Sequence, residues 1–276
     1  MKETFPHFSC LKVLSKSIHH PLAGFKLLLE SVYCRLRGIP PVSRSEISRE
    51  IIRKCVGKED PTILEIGCND GSNTLWFLET FKNPKVYCFE PEPRAIARFK
   101  EKVGERFNIK LFEIALSDHN GEVDFYQSGV QLDEGQANAM PQGWDRSGSI
   151  RQPKEHLMIH PWVTFDRKIT VMASTLDAWC DKHGIGIIDF IWMDVQGAEI
   201  NVFRGAKNTL AKTRFIYTEY SNLELYQGQF NLRKLMEHLK NFTVMIRYPA
   251  DVLLRNKQLV EEPNETRERR FDNSQR

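Results

Sequence analysis

The chain has 276 residues, 41% of them hydrophobic and 27% charged, with a net charge of +3. That is enough apolar material for one sizeable core, and no apolar run approaches the ~18 residues of a membrane span. The charge is too slight, and Lys and Arg too scattered, for a nucleic-acid-binding stripe.

The first 49 residues read as a basic helical extension. Leu22, Phe25, Leu28, Leu29, Val32, Tyr33 and Leu36 fall at helical spacing, Gly38 and Pro40 close the pattern, and basic residues outnumber Glu3 and Glu30. Such a helix can lie on an anionic membrane surface, here the inner face. The favoured alternative packs its apolar stripe against the chain's own domain.

From residue 50 to 254 the pattern alternates. "TILEIG", "KVYCFEP", "IKLFEIAL", "GEVDFYQS", "KITVMAS", "IIDFIWMDV", "RFIYTEY" and "FTVMIRY" read as strands. "SNTLWFLETFK", "PRAIARFKEKVG", "TLDAWCDKHG", "AEINVFRGAKNTL" and "LRKLMEHLKN" read as helices. Short β-branched runs separated by helices predict an α/β, Rossmann-like, doubly wound and mostly parallel sheet with helices on both faces. Residues 128–168 read as an insertion too long for a simple connection, with Trp144, Trp162, Arg151, Lys154, His156 and His160 suited to a lid over a polar acceptor. Residues 255–276, ending "EEPNETRERRFDNSQR", read as a disordered tail.

Six cysteines (Cys10, Cys34, Cys55, Cys68, Cys88 and Cys180) are scattered, with no C-x-x-C pair. They suggest reduced, buried thiols of a cytoplasmic protein, not a disulfide framework or zinc site. The N-terminus also lacks the apolar core and cleavage site of a secretory signal.

In a doubly wound sheet the ligand sits outside the carboxyl ends of the strands. The first strand-to-helix turn here is Glu65-x-Gly67-x-Asn69-x-Gly71, with Ser72 or Asn73 placed to cap the following helix. Its glycines permit a tight turn and close approach of a ligand. It is neither G-x-G-x-x-G nor a P-loop, so phosphate is not the expected guest. Glu90 ends the next strand, where a carboxylate can accept from both hydroxyls of a ribose. With Glu65 nearby, a nucleoside carrying positive charge fits, which points to S-adenosylmethionine.

In order and spacing, "ILEIGCNDGSNTLWF", "VYCFEPEP", "LFEIALSDHNGEVDFY", "STLDAW" and "IDFIWMDVQGAEINVFRGA" resemble the FkbM-type methyltransferases, over about residues 50–250. The resemblance implies a class I methyltransferase fold and S-adenosylmethionine as cofactor. It implies that Glu65, Gly67, Asn69 and Gly71 line the methionine part, that Glu90 binds the ribose, and that the segment Ala115-Leu116-Ser117-Asp118 lies beside the adenine. Cys68, Asn73 and Asp194 complete the cofactor-binding candidates. One departure is Gln196, in Asp194-Val195-Gln196-Gly197, where the family commonly shows Asp-Val-Glu-Gly.

The resemblance most often suggests O-methylation of a hydroxyl on a sugar or glycoconjugate. Removing a hydroxyl proton needs a base, and Asp194, Glu219 and His160 are the catalytic candidates. Asp194 could equally cap the helix that begins near Gly197. Asp194, Glu199 and Glu219 could together hold Mg²⁺, a reading that the neutral Gln196 disfavours. The rival to an enzyme is a binding or scaffold protein that has kept the fold and lost catalysis, with Gln196 as its motive.

Overall fold

A computed structural model of the protein describes residues 21–43, 45–131 and 144–261, and the side chains of residues 21–27 are not among those described. The expectations for the first 20 residues, for Leu22 and Phe25, for the middle of the insertion and for most of the polar tail lie outside the described residues.

The main sheet has seven strands in the order β3-β2-β1-β7-β8-β10-β9. These are β1 (Thr62–Ile66), β2 (Lys85–Phe89), β3 (Ile109–Phe112), β7 (Ile188–Met193), β8 (Thr213–Glu219), β9 (Phe242–Arg247) and β10 (Asp251–Asn256). Neighbours run parallel except around β10, which is antiparallel to both β8 and β9. Successive side chains on a strand face opposite ways, and here both faces are apolar. Leu64, Ile66, Ile191, Met193 and Ile216 pack in one cluster with Trp179 and Phe203, while Ile63, Phe190 and Phe215 pack in the other with Phe77 and Phe99. Helices α2 (Arg49–Val56), α3 (Ser72–Thr80), α4 (Pro93–Val103), α6 (Leu176–His183) and α7 (Glu199–Arg204) contribute to these two layers, and the one-turn α5 (His156–Ile159) does not.

The expected architecture is present, with four local differences. "IKLFEIAL" is broken: β3 stays in the main sheet, while β4 (Ala115–Leu116) pairs with β6 (Val163–Ser174) in a second sheet of order β4-β6-β5. The long antiparallel hairpin of β5 (Gly121–Val130) with β6 reaches into the stretch read as insertion, pairing Val130 with Val163. "AEINVFRGAKNTL" divides at Gly205 into α7 and α8 (Lys207–Ala211), because the backbone there passes so close to Ser117 that a Cβ would overlap its carbonyl. Finally, β10 has no counterpart in the sequence reading, since its polar ends mask a short apolar centre whose Val252, Leu253 and Leu254 are fully buried.

Helix α1 (Pro21–Leu36) lies against the domain by an unexpected face. Leu28, Leu29, Val32 and Leu36 are exposed, whereas Glu30 and Cys34 are buried. The anchor is Arg247, whose Nη2 is 3.9 Å from Glu30 Oε1, while its Nη1 donates to Cys34 Sγ at 2.9 Å and its Nε to the Tyr220 hydroxyl at 2.9 Å. Burial raises the Glu30 pKa above 4.5 and the Arg247 charge opposes that rise. Arg247→Ala should therefore lower stability by about 3 kcal/mol at neutral pH, the cost of stranding a buried carboxylate. A raised carboxyl pKa makes this loss shrink as pH falls toward 4.5, where Glu30 can protonate in both states. Urea unfolding at two pH values checks both statements.

Candidate active site

The turn after β1 is fastened to the end of β2. Gly67 N–H and Cys68 N–H both donate to the Phe89 carbonyl at 2.9 and 3.1 Å, and Asn69 N–H donates to Glu90 Oε2 at 2.8 Å. Gly71 N–H closes the turn onto the Cys68 carbonyl at 2.9 Å. The N–H groups of Gly67, Cys68, Asn69 and Gly71 are thus all engaged within the protein. The glycines permit the tight turn expected, and the space left by their missing side chains is taken up by the protein. A Cβ on Gly67 would overlap the Asp194 carbonyl, and one on Gly71 would strike Phe99 and Val103, so their missing side chains make room for the protein itself. Both also hold φ near +80, at 83 and 78. Nor do Ser72 and Asn73 cap α3: Gly71 takes the cap position, and Asp70 Oδ1 accepts from Ser72 N at 3.1 Å and Ser72 Oγ at 2.6 Å.

Glu65 is wholly buried beneath this turn. One carboxyl oxygen accepts from the Thr74 hydroxyl and the other, Oε1, has no hydrogen-bond partner. Desolvation pushes its pKa up to about 8, against the hydrogen bonds from Thr74 and Cys88. It is thus largely a neutral acid at pH 7 until a cation meets it, not the standing anion the sequence suggested. Glu90, also buried, accepts from Asn69 N–H on Oε2 and from Glu92 N–H on Oε1 at 2.9 Å, and burial raises it to about 7. Each Glu90 oxygen keeps a second lone pair, as two vicinal hydroxyls would require. The Cys68 and Leu116 side chains belong to the buried core clusters. Ala115 and Ser117 are buried as well, with Ser117 N–H paired to the Ser174 carbonyl at 2.9 Å.

The adjacent ends of β7 and β8 carry carboxylates. Met193 pairs with Thr218, so Asp194 and Glu219 emerge side by side, and Asp251 pairs with Glu219 from the other side. Burial raises the pKa of all three, and Asp194 raises Glu219 further. Glu199, at the start of α7, is pushed to about 7, chiefly by burial and then by Asp194. Among the described residues no three His, Cys, Asp or Glu side chains are set to hold a metal ion.

Gln196 organises this end of the cleft. Its Nε2 donates to Asp194 Oδ1 at 2.7 Å, its Oε1 lies 3.0 Å from the Tyr226 hydroxyl, and its carbonyl accepts from Ser149 Oγ at 2.8 Å. The Tyr226 hydroxyl also reaches the Ser147 carbonyl at 2.7 Å. Asn69 and Gln196, with φ of 45 and 52, are the two non-glycine residues of positive φ among the described residues. They sit in the turns after neighbouring strands, and strained backbone concentrates at functional sites.

The Methyltransferase FkbM domain model matches residues 65–244. The chain is 48% identical over 241 residues to the 2-O-methyltransferase NoeI of Sinorhizobium fredii, spanning 84% of this chain and 96% of that protein. The chain belongs to the FkbM methyltransferase family. It is an S-adenosylmethionine-dependent methyltransferase. Among solved structures, the N-methyltransferase NodS of Bradyrhizobium japonicum with S-adenosyl-L-homocysteine aligns at TM-score 0.39 and 12% identity, over 75% of this chain and 84% of that one. An rRNA methylase of Streptococcus thermophilus aligns at TM-score 0.39 and 11% identity, over 77% and 99%. Similarity that distant says nothing about the methyl acceptor.

Within this FkbM domain the described part of the insertion meets the Asp194 end of the sheet through Ser149 on Gln196 and Ser147 on Tyr226. Trp144 and Trp162 meet edge to face at 4.9 Å, and Trp144 Nε1 donates to Ser147 Oγ at 2.8 Å. Arg151 donates to Asn201 Oδ1 at 2.8 Å and Lys154 pairs with Glu224, so both cations fasten the insertion to the domain. The structure does not bring His160 to the reacting end. His160 packs on His156, whose ring in turn meets Tyr226, and Tyr226 then reaches Gln196. A histidine in an irregular stretch carries no signal of which face it will take, so sequence reasoning misplaces it. Tyr226 escapes sequence reasoning for a related reason: its partner is the space left by Gly197, where a Cβ would overlap its ring, and nothing in the local sequence links the two.

Proposed function

We propose that this chain transfers a methyl group from S-adenosylmethionine to a hydroxyl of a sugar or glycoconjugate, with Asp194 as the base that takes the hydroxyl proton. The observation that carries the reading is the Gln196 amide on Asp194 Oδ1, which fixes the orientation of the carboxylate and holds it as an acceptor at the strand end. A raised pKa suits a group that must take a proton near neutral pH. A relative named as a 2-O-methyltransferase supports oxygen as the acceptor atom. The residues fit the cofactor: Glu90 offers two free lone pairs to ribose hydroxyls, and the unpartnered Glu65 Oε1 offers an acceptor to positive charge. The bound cofactor supplies an electrophilic methyl on its sulfonium; the chain's part is to hold the acceptor opposite it and remove a proton. The test is methyl transfer from labelled cofactor to a panel of sugars, with the methylated atom located by NMR. Methylation only of amines or carboxylates would overturn the reading.

Cofactor binding should depend on pH. Cation binding favours the ionised forms of Glu65 and Glu90, raised by burial to about 8 and about 7, so binding expels protons. Affinity for S-adenosylmethionine should rise with pH and level off above about 8. Calorimetry in buffers of different ionisation enthalpy should register net proton release at pH 7.

The exposed Leu28, Leu29, Val32 and Leu36, beside the exposed Arg35 and Arg37, suit an acceptor presented at an anionic membrane surface. Salt-sensitive cosedimentation with anionic vesicles would support this, and equal recovery with neutral vesicles would count against it. No helix among the described residues is long and apolar enough to cross a membrane.

A further inference from the structure

We propose that the cleft between α1 and the loop after β8 is a second saccharide subsite, which holds the sugar adjoining the one that is methylated. The proposal rests on the reading of the chain as a sugar O-methyltransferase and extends it to an acceptor of more than one ring. The cleft has a volume of about 360 Å³, within the range of small-ligand sites. Tyr33 of α1 lines one side, Asn222, Gln229 and Phe230 of the loop line the other, and Arg233 and Lys234 of α9 (Leu232–His238) complete it.

Three of the four charged side chains that line this cleft are paired with neighbours of opposite sign. Glu30 faces Arg247, Glu224 pairs with Lys154, and Arg233 lies 3.8 Å from Glu237 and over the Tyr33 ring. Lys234 lies over the Phe230 ring at 5.2 Å. With only the Lys234 charge uncompensated among the described residues, and that one set over a ring, most of the cleft's polar lining is neutral and suits a ligand rich in hydroxyls. A polar demand is nonetheless built in: Asn222 Oδ1 is buried with no hydrogen-bond partner. An acceptor left so is destabilising, and a ligand hydroxyl placed there would relieve it. Aromatic surface beside amides is the combination that fits an uncharged ring bearing hydroxyls.

The position fits the same ligand. The loop from Ser221 to Asn231 lines the cleft on one side and carries Tyr226, whose hydroxyl lies against Gln196 beside Asp194. One short loop therefore touches both places, as a linear acceptor with one ring at Asp194 and the next against α1 would require.

The test is a glycan array probed with the full chain, followed by kinetics on the best neutral glycan and on the monosaccharide corresponding to its methylated ring. Neutral glycans of two or more rings should bind, and Asn222→Ala and Phe230→Ala should each weaken binding about tenfold, one hydrogen bond or one ring contact. Asn222→Ala removes an atom that makes no hydrogen bond, so folding should survive it; thermal melting verifies this for both variants, as calorimetry does for cofactor affinity. kcat/KM should favour the glycan over the monosaccharide at least tenfold in the natural protein and approach parity in the variants. Absence of glycan binding, binding of charged glycans alone, or unchanged binding in both variants would overturn the subsite. Equal kcat/KM for glycan and monosaccharide in the natural protein would also overturn it, with sugar methylation itself intact. If no sugar is methylated while the cofactor binds, the reading of the reaction falls instead, and the array still reports on the cleft.

Discussion

Glu90→Ala is expected to weaken S-adenosylmethionine binding by at least ~100-fold. Two hydroxyl hydrogen bonds to a charged acceptor contribute about 1.5–3 kcal/mol each, and tenfold in affinity corresponds to about 1.4 kcal/mol. The same carboxylate also accepts from Asn69 and Glu92 N–H, so the alanine strands two backbone donors and loosens a turn that holds Asn69 at φ of 45. The variant should therefore also melt earlier, unlike a residue that only touches ligand. Glu90→Gln separates the two effects: its amide oxygen can serve one donor while its NH₂ faces the other, so affinity should fall by about tenfold, one hydrogen bond's worth. Calorimetry with unchanged affinity in both variants, alongside a lowered melting temperature, would leave Glu90 as the anchor of the turn and remove it from the ribose.

How much of this is legible beforehand depends on the kind of signal each feature leaves. Strands such as "TILEI" and "IDFIWM" announce themselves because both faces of a parallel sheet must be apolar, and the sheet order then places their carboxyl ends side by side. The turn at Gly67 and the acid at Glu90 are legible for the same reason, being strand ends. What the sequence conceals is contact between distant segments. Gly67 looks like room for a ligand, yet the room is taken by the Asp194 carbonyl. Glu65 looks like an anion, yet its burial makes it a neutral acid at pH 7. The stripe of α1 looks like the packing face, yet Glu30 and Cys34 are turned inward because Arg247 waits there, far along the chain. Periodicity records where apolar residues lie on a helix, and cannot record an ionic partner supplied by another strand.

Asp194→Asn should lower kcat by about 10²–10⁴ while cofactor affinity changes little, because an amide oxygen can still accept from Gln196 but the group can no longer take a proton. The departure at position 196 sharpens this test. With glutamine, the neighbour of Asp194 Oδ1 at 2.7 Å is a donor; with the glutamate that the family commonly carries, it would be a second carboxyl. Two carboxyls at that distance share a proton, which pushes one pKa up. Glu219 and Glu199 already crowd the same space, each raised chiefly by burial and further by Asp194. Gln196→Glu should therefore move the acid limb of the kcat profile to higher pH, with activity recovering as pH rises, whereas Gln196→Ala should lower kcat across the whole range by releasing the carboxylate. The neutral residue thus reads as a setting of the base, not as the mark of a lost activity. An acid limb unmoved in Gln196→Glu would take the proton transfer away from Asp194, and Glu219, beside it at the end of β8, would be the carboxylate to test next.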